Sequence, residues 1–217
     1  MYTSEMTNVE PIHFPNFGYL SGKFTDEDLA PVRAEVEKIK ANFESSSKFN
    51  SDLAGNIKKE YLLNDSKNHV YQLLAPLIQK YEDSFPGFYK ILNTLTDNVP
   101  LVLDYLWVNF QKKHEFNPAH DHAGVMSFVI WLNIPYTKKE EELVSPGLNS
   151  NKNCSGDFEF QYVDTLGRVN YETIEMSKEM ENHFVLFPAS TSHCVYPFFS
   201  TDEYRVSVSG NLRYKVK

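Results

Sequence analysis

The sequence is short of cysteine, short of cations and without any long apolar run, and each shortage closes a class of answer. Only Cys154 and Cys194 occur among 217 residues. That rules out a disulfide framework, and their wide separation matches neither a CxxC redox pair nor a thiolate zinc site. No stretch approaches the roughly 20 apolar residues needed to cross a bilayer. The first residues, MYTSEMTNVEP, lack the basic start and apolar core of an export signal. The reading is a soluble intracellular chain with no membrane partner, cytoplasmic, or in the host cytoplasm if the source is viral. With 21 Lys and Arg against 29 Asp and Glu, the formal charge is -8. Affinity for nucleic acid comes largely from cations that neutralise phosphates, so no nucleic-acid partner is expected.

What the chain does have is a helical front and a strand-rich back, on a length that suits a single domain over 1–217. Residues 1–99 are expected to form a helical support region and residues 100–217 a jelly-roll core. In FTDEDLAPVRAEVEKIKANF, Thr25 precedes Asp28 as in a capping box, and Leu29, Val32, Val36, Ile39 and Phe43 share one helix face. A second helix is predicted in VYQLLAPLIQKYEDSF, with Pro76 kinking it or delaying its start. From residue 100 the texture changes to LVLDYLWVNFQ, SFVIWLNIPY, GDFEFQYVD, RVNYETIEM, HFVLFPAS and YRVSVSGNLRYKV, which are short strand-like runs. DTLG between the third and fourth reads as a hairpin turn, and the polar stretch 137–156 as a long insertion loop. Such strands behind two helices predict a mainly β, α+β fold: an antiparallel jelly-roll or cupin-like barrel that can hold a ligand between its sheets.

Chemistry concentrates in NPAHDHAG, residues 117–124, where His120 and His122 flank Asp121. Residues two apart share a strand face, so both imidazoles can enter one pocket, while Asp121 points away unless the backbone bends between Pro118 and Gly124. Imidazole binds iron, copper, nickel and zinc, and an added carboxylate favours the open facial set of non-haem iron(II). A third ligand is required. His193, after a buried-looking strand and a Pro-containing turn, is the candidate, whereas His13, His69, His114 and His183 lack such a context. Further on, Arg205 and Ser207 share a face of YRVSVSGN, where a guanidinium fork and a hydroxyl suit a carboxylate. The bland alternative is a surface ion pair of Arg205 with Asp202 or Glu203.

Taken together, WVNFQ, NPAHDH, SFVIWLNIP, GDFEF, FVLFPASTSHCVYP and RVS resemble the iron(II)- and 2-oxoglutarate-dependent dioxygenases over residues 101–213. More narrowly they resemble the small bacterial and phage-type members related to prolyl 4-hydroxylases. The resemblance implies a double-stranded β-helix, Fe(II) at the histidine motif, and O2 and 2-oxoglutarate as co-substrates, the distal carboxylate gripped by Arg205 and Ser207. It further implies oxidative decarboxylation to succinate and CO2, coupled to hydroxylation of a C–H bond in an unidentified protein side chain or small molecule. Asn109, on one strand face with Tyr105 and Trp107, then either contacts 2-oxoglutarate or bonds local backbone. Trp131 is either core or an aromatic wall beside the co-substrate.

The family's usual signature is His-x-Asp/Glu, whereas the residue two after His120 is His122. Three arrangements stay open: His120, His122 and His193 together; Asp121 with His193 and one of the pair; or a site that no longer binds iron. Two other classes compete. A cupin-type metal-dependent dioxygenase or isomerase would leave Arg205 and Ser207 unexplained, and a non-catalytic binding module would tolerate loss of any histidine. No separate general acid or base is assigned to Glu159, Glu115 or Asp104. The segments 44–56 and 137–156 are the expected substrate entrance.

Overall fold

The capping box at Thr25 does what its spacing predicts. In the computed structural model, which describes residues 16–91 and 99–215, Thr25 Oγ1 accepts from the Asp28 N–H and the Asp28 carboxylate accepts from the Thr25 N–H, starting helix α1 (Asp26–Ala41). Its stripe of Leu29, Val32, Val36 and Ile39 is buried. Helix α2 (Lys67–Ser84) begins well before Pro76 and runs through it. Burial of Val70, Leu74 and Tyr81 offsets the hydrogen bond that Pro76 cannot make. A short α3 (Phe88–Ile91) follows.

The strands are β1 (Leu20–Lys23), β2 (Glu60–Leu62), β3 (Leu101–Gln111), β4 (Asn117–His120), β5 (Met126–Asn133), β6 (Phe158–Val163), β7 (Val169–Ile174), β8 (His183–Pro188), β9 (Ser192–Val195) and β10 (Arg205–Tyr214). They form two antiparallel sheets, one ordered β1-β8-β5-β10-β3-β2 and the other β4-β9-β6-β7. This is the jelly-roll, double-stranded β-helix expected. The front of the chain is not purely helical, however. β1 pairs with β8 and β2 with β3, so both edges of the larger sheet come from residues before 100. With four and three residues these strands are too short to display an alternating pattern.

Alternation along the longer strands divides the core in two. On β5, Phe128, Ile130 and Leu132 face a cluster that includes Leu29, Val32, Val70 and Leu74 of the helices. Val129 and Trp131 face the other way, into the space between the sheets, with Phe158, Phe160 and Phe187. The stretch 137–156 is not merely a loop: it contains α4 (Lys138–Val144), opened by a second capping box between Thr137 and Glu140. Glu141 on that helix is fully buried and accepts from the N–H groups of Phe199 and Ser200. The hairpin turn DTLG is present, with Gly167 at φ 79 and the Asp164 N–H bonded to Arg168 O. Asn182 also sits at positive φ, 68, a conformation Asn tolerates, and its side chain is held by Arg33 and Asp26. Both cysteines are free, and among the described residues no helix is long and apolar enough to cross a membrane.

One carboxylate ties the helices together. Glu35 of α1 accepts from the backbone N–H groups of Asn64, Asp65 and Ser66 and from Ser66 Oγ, capping the entry to α2. Burial alone would raise its pKa, but these bonds outweigh it and hold the group below its ordinary value. Glu35→Ala is therefore expected to cost roughly 2–3 kcal/mol in urea unfolding, and exposed Glu37→Ala to stay within about 0.5 kcal/mol.

Candidate active site

Two short strands bring the histidines together. β4 and β9 pair so that His120 lies directly opposite His193. β4 ends at His120, so His122 reaches the same place from the turn beyond it and not by strand alternation; its N–H is fixed by Ala189 O at 2.9 Å. The ring centroids are separated by 4.4 Å (120–193), 5.0 Å (120–122) and 5.0 Å (122–193), and one nitrogen from each ring lies within 4.8 Å of the others. Nε2 of His122 stands 3.2 Å from Nε2 of His193. Asp121 is exposed and contributes no atom to the cluster.

The protonation states follow from the surroundings. His120 Nδ1 lies 2.8 Å from Pro118 O and His193 Nδ1 lies 3.0 Å from Thr191 O. A carbonyl only accepts, so each Nδ1 carries the proton and each Nε2 keeps its lone pair. Burial, reinforced by the neighbouring His120, pushes His122 down to about 4 and His193 to about 3. Three convergent imidazoles, two of them oriented by backbone carbonyls, are a donor set that fits a divalent transition metal.

The other end of the site is built on β10. Its register sets Arg205 opposite Gln111, Ser207 opposite Asn109 and Ser209 opposite Trp107. Arg205 is 3% exposed, so it is not the surface ion pair of the bland reading. Its guanidinium donates to Gln111 Oε1 at 2.6 and 3.0 Å, to Tyr136 Oη at 2.6 Å, to Tyr196 O at 3.3 Å, and to Gly156 O. All of these acceptors are neutral. Burial pushes the Tyr136 hydroxyl up to about 12 despite the adjacent guanidinium, so no tyrosinate balances the charge. None of the ion pairs among the described residues includes Arg205. Ser207 Oγ accepts from Asn109 Nδ2 at 3.2 Å, which leaves its own proton to donate. Asn109 is thus tied to the neighbouring strand's side chains and not to local backbone. Trp131 is at once core and wall, buried edge-on against Phe158 at 5.7 Å.

His120, Asp121, His122, His193, Asn109, Trp131, Arg205 and Ser207 all line one cavity of about 490 Å³. The segment 44–56 contributes Phe49, Leu53 and Ala54 to its wall, whereas 137–156 contributes no lining residue and reaches the site only through its last residue, Gly156, whose carbonyl accepts from Arg205. Glu159 lies outside the cavity, consumed by Lys152, Thr173 and Tyr196. Sequence reasoning missed Gln111, Tyr136 and Glu60. Gln111 was findable, since it shares a strand face with Asn109; Tyr136 and Glu60 carried no periodic signal.

Residues 105–211 match the family model described as "Putative 2OG-Fe(II) oxygenase". Among solved structures the chain is similar to a prolyl-4-hydroxylase of Pseudomonas putida, at 14% identity over 92% of this chain and 94% of that one, TM-score 0.56. It is also similar to the viral collagen prolyl hydroxylase of Paramecium Bursaria Chlorella virus-1, in complex with 2OG, at 11% over 91% and 96%, TM-score 0.51. A third is the non-heme alpha-ketoglutarate-dependent epimerase SnoN from nogalamycin biosynthesis, at 17% over 89% and 76%, TM-score 0.54. At these identities the likeness is one of fold. No curated protein matches the sequence.

Two expectations follow from the histidine cluster. In anaerobic calorimetry with Fe(II), His193→Ala should weaken binding at least about 100-fold and Asp121→Ala less than about threefold. His122 and His193 are neutral in the fold but take up protons once unfolded. The metal-free protein should therefore lose stability as pH falls from 6.5 towards 4, a trend that thermal melts at about pH 7.5 and about pH 5 measure.

Proposed function

The chain belongs to the iron(II)- and 2-oxoglutarate-dependent oxygenases through residues 105–211, and from that premise we propose that it hydroxylates a C–H bond of a protein side chain or small molecule. 2-Oxoglutarate is converted to succinate and CO2 in the same turnover. In this reading His120, His122 and His193 hold the iron, and Arg205 with Ser207 holds the distal carboxylate of the keto acid. Bound iron and keto acid supply the oxidising chemistry with O2; the protein supplies position, charge and exclusion of water.

The observation that carries the reading is the unbalanced charge of Arg205. A guanidinium that is 3% exposed costs several kcal/mol in desolvation unless an anion meets it. Here the surrounding oxygens satisfy its hydrogen bonds without balancing its charge. Arg205 lines the cavity, and the histidines line the same cavity. Gln111 and Tyr136 fix the plane of the guanidinium, so little motion is lost when a carboxylate arrives. Ser207 donates beside it, and Asn109 holds Ser207 in place. Trp131 and Phe158 close the wall against water. The reaction needs no separate acid or base from the chain, and two carboxylates near the motif in sequence are engaged elsewhere: Asp104 with Arg213 at 2.8 Å and Glu159 with Lys152 at 2.7 Å.

Anaerobic titration with Fe(II) and then 2-oxoglutarate tests this. A weak visible charge-transfer band is expected that needs both additions, and Arg205→Met should raise the keto-acid concentration required at least about tenfold. Iron binding without a band, or an unchanged requirement in the variant, would contradict the assignment.

A further inference from the structure

One buried acid in the cavity is used by nothing described so far. Glu60, on edge strand β2, is 3% exposed and lines the same cavity as the histidines. Its Oε2 accepts from Asn50 Nδ2 at 3.0 Å, which fixes the carboxylate plane, whereas Oε1 is buried and has no partner among the described residues. The adjacent lysine does not serve it, since Lys59 bonds to Tyr204 Oη and lies 3.8 Å over the Phe43 ring. A buried carboxylate oxygen without a donor is costly, and its natural complement is a cation or a strong N–H donor brought by a ligand.

The walls around it point to the same chemistry. Phe49, Tyr105 and Trp107 line the cavity with Glu60, and Phe49 packs 5.3 Å from Tyr105 and 5.7 Å from Trp107, centroid to centroid. Three aromatic rings that line one cavity with a carboxylate suit an organic cation, because the negative faces of such rings attract positive charge. Trp107 in turn stands 5.8 Å from His122, so this wall adjoins the histidine cluster.

We propose that Glu60, with Phe49, Tyr105 and Trp107, binds an organic ammonium group of the substrate and so presents a C–H bond near that nitrogen to the histidine cluster. This rests on the oxygenase reading for the reaction, but not for the binding. Burial, opposed by the Asn50 hydrogen bond and helped by the nearby Glu115 charge, holds the Glu60 pKa up at about 7, so an arriving ammonium would also draw the group into its charged form.

The test uses choline, n-butylammonium and the neutral isostere of choline, 3,3-dimethylbutan-1-ol, titrated calorimetrically into the full chain. One series is metal-free and the other is loaded anaerobically with Fe(II) and 2-oxoglutarate. At least one cation is expected to bind at least about tenfold more tightly than the isostere. Glu60→Gln should erase that preference while the Fe(II)/2-oxoglutarate band persists, and Phe49→Leu should reduce it. Equal binding of cation and isostere, no binding of any probe, or an undiminished preference in Glu60→Gln overturns the proposal. Should the band fail to form, the oxygenase reading fails, and the metal-free series still decides whether the cavity binds ammonium.

Discussion

The site depends on the register of β10 between its two neighbours. This strand lies inside the larger sheet, and its alternation sends Val206, Val208 and Leu212 to the helix-covered core and Arg205, Ser207 and Ser209 to the cavity. A slip of one residue would bury a guanidinium among leucines and put valines in the pocket. Pairing on both sides resists that slip: Ser207 is opposite Asn109 on β3 and Trp131 on β5. The helices matter to function through this constraint. They give the valine face an apolar partner, and the opposite face is thereby reserved for polar groups.

Two kinds of polar incompleteness then mark the cavity as a working surface. At one end three imidazoles are crowded together, His120 and His193 oriented by carbonyls and His122 and His193 held uncharged by burial, an arrangement that a metal would relieve. At the other, Arg205 has its hydrogen bonds met by neutral oxygens and its charge left open. A fold selected only for stability would answer each with a carboxylate, and the chain has acids to spare: Asp157 meets Lys138 at 2.5 Å and Glu159 meets Lys152 at 2.7 Å, both outside the cavity. Inside it, a stability optimum has given way to ligand binding.

Much of this was legible in the sequence where the signal was long or chemical. The run LVLDYLWVNFQ is β3 from Leu101 to Gln111, because its length and its aliphatic and aromatic content leave little choice of element. The histidines were legible because few residue types do their chemistry. What stayed hidden was short or depended on distant pairing. β1, β2, β4 and β9 have three or four residues each and are strands only because a longer neighbour holds them. α4 was written plainly in Thr137 and Glu140, but lay within a charged stretch that reads as loop. Whether Asp121 or His122 joins His120 was open in sequence, since it turns on where the chain bends. In the structure the strand ends at His120, and His122, not Asp121, joins the cluster from beyond it. Glu60 had no local signal, because what distinguishes it is the absence of a partner in three dimensions.

The most direct measurement is anomalous diffraction at the iron edge from crystals prepared anaerobically with Fe(II) and 2-oxoglutarate. The account predicts one iron position bonded to His120, His122 and His193, with Asp121 in solvent and the keto acid's distal carboxylate against Arg205 and Ser207. Iron held through Asp121, iron elsewhere in the molecule, or a carboxylate that avoids Arg205 would contradict it.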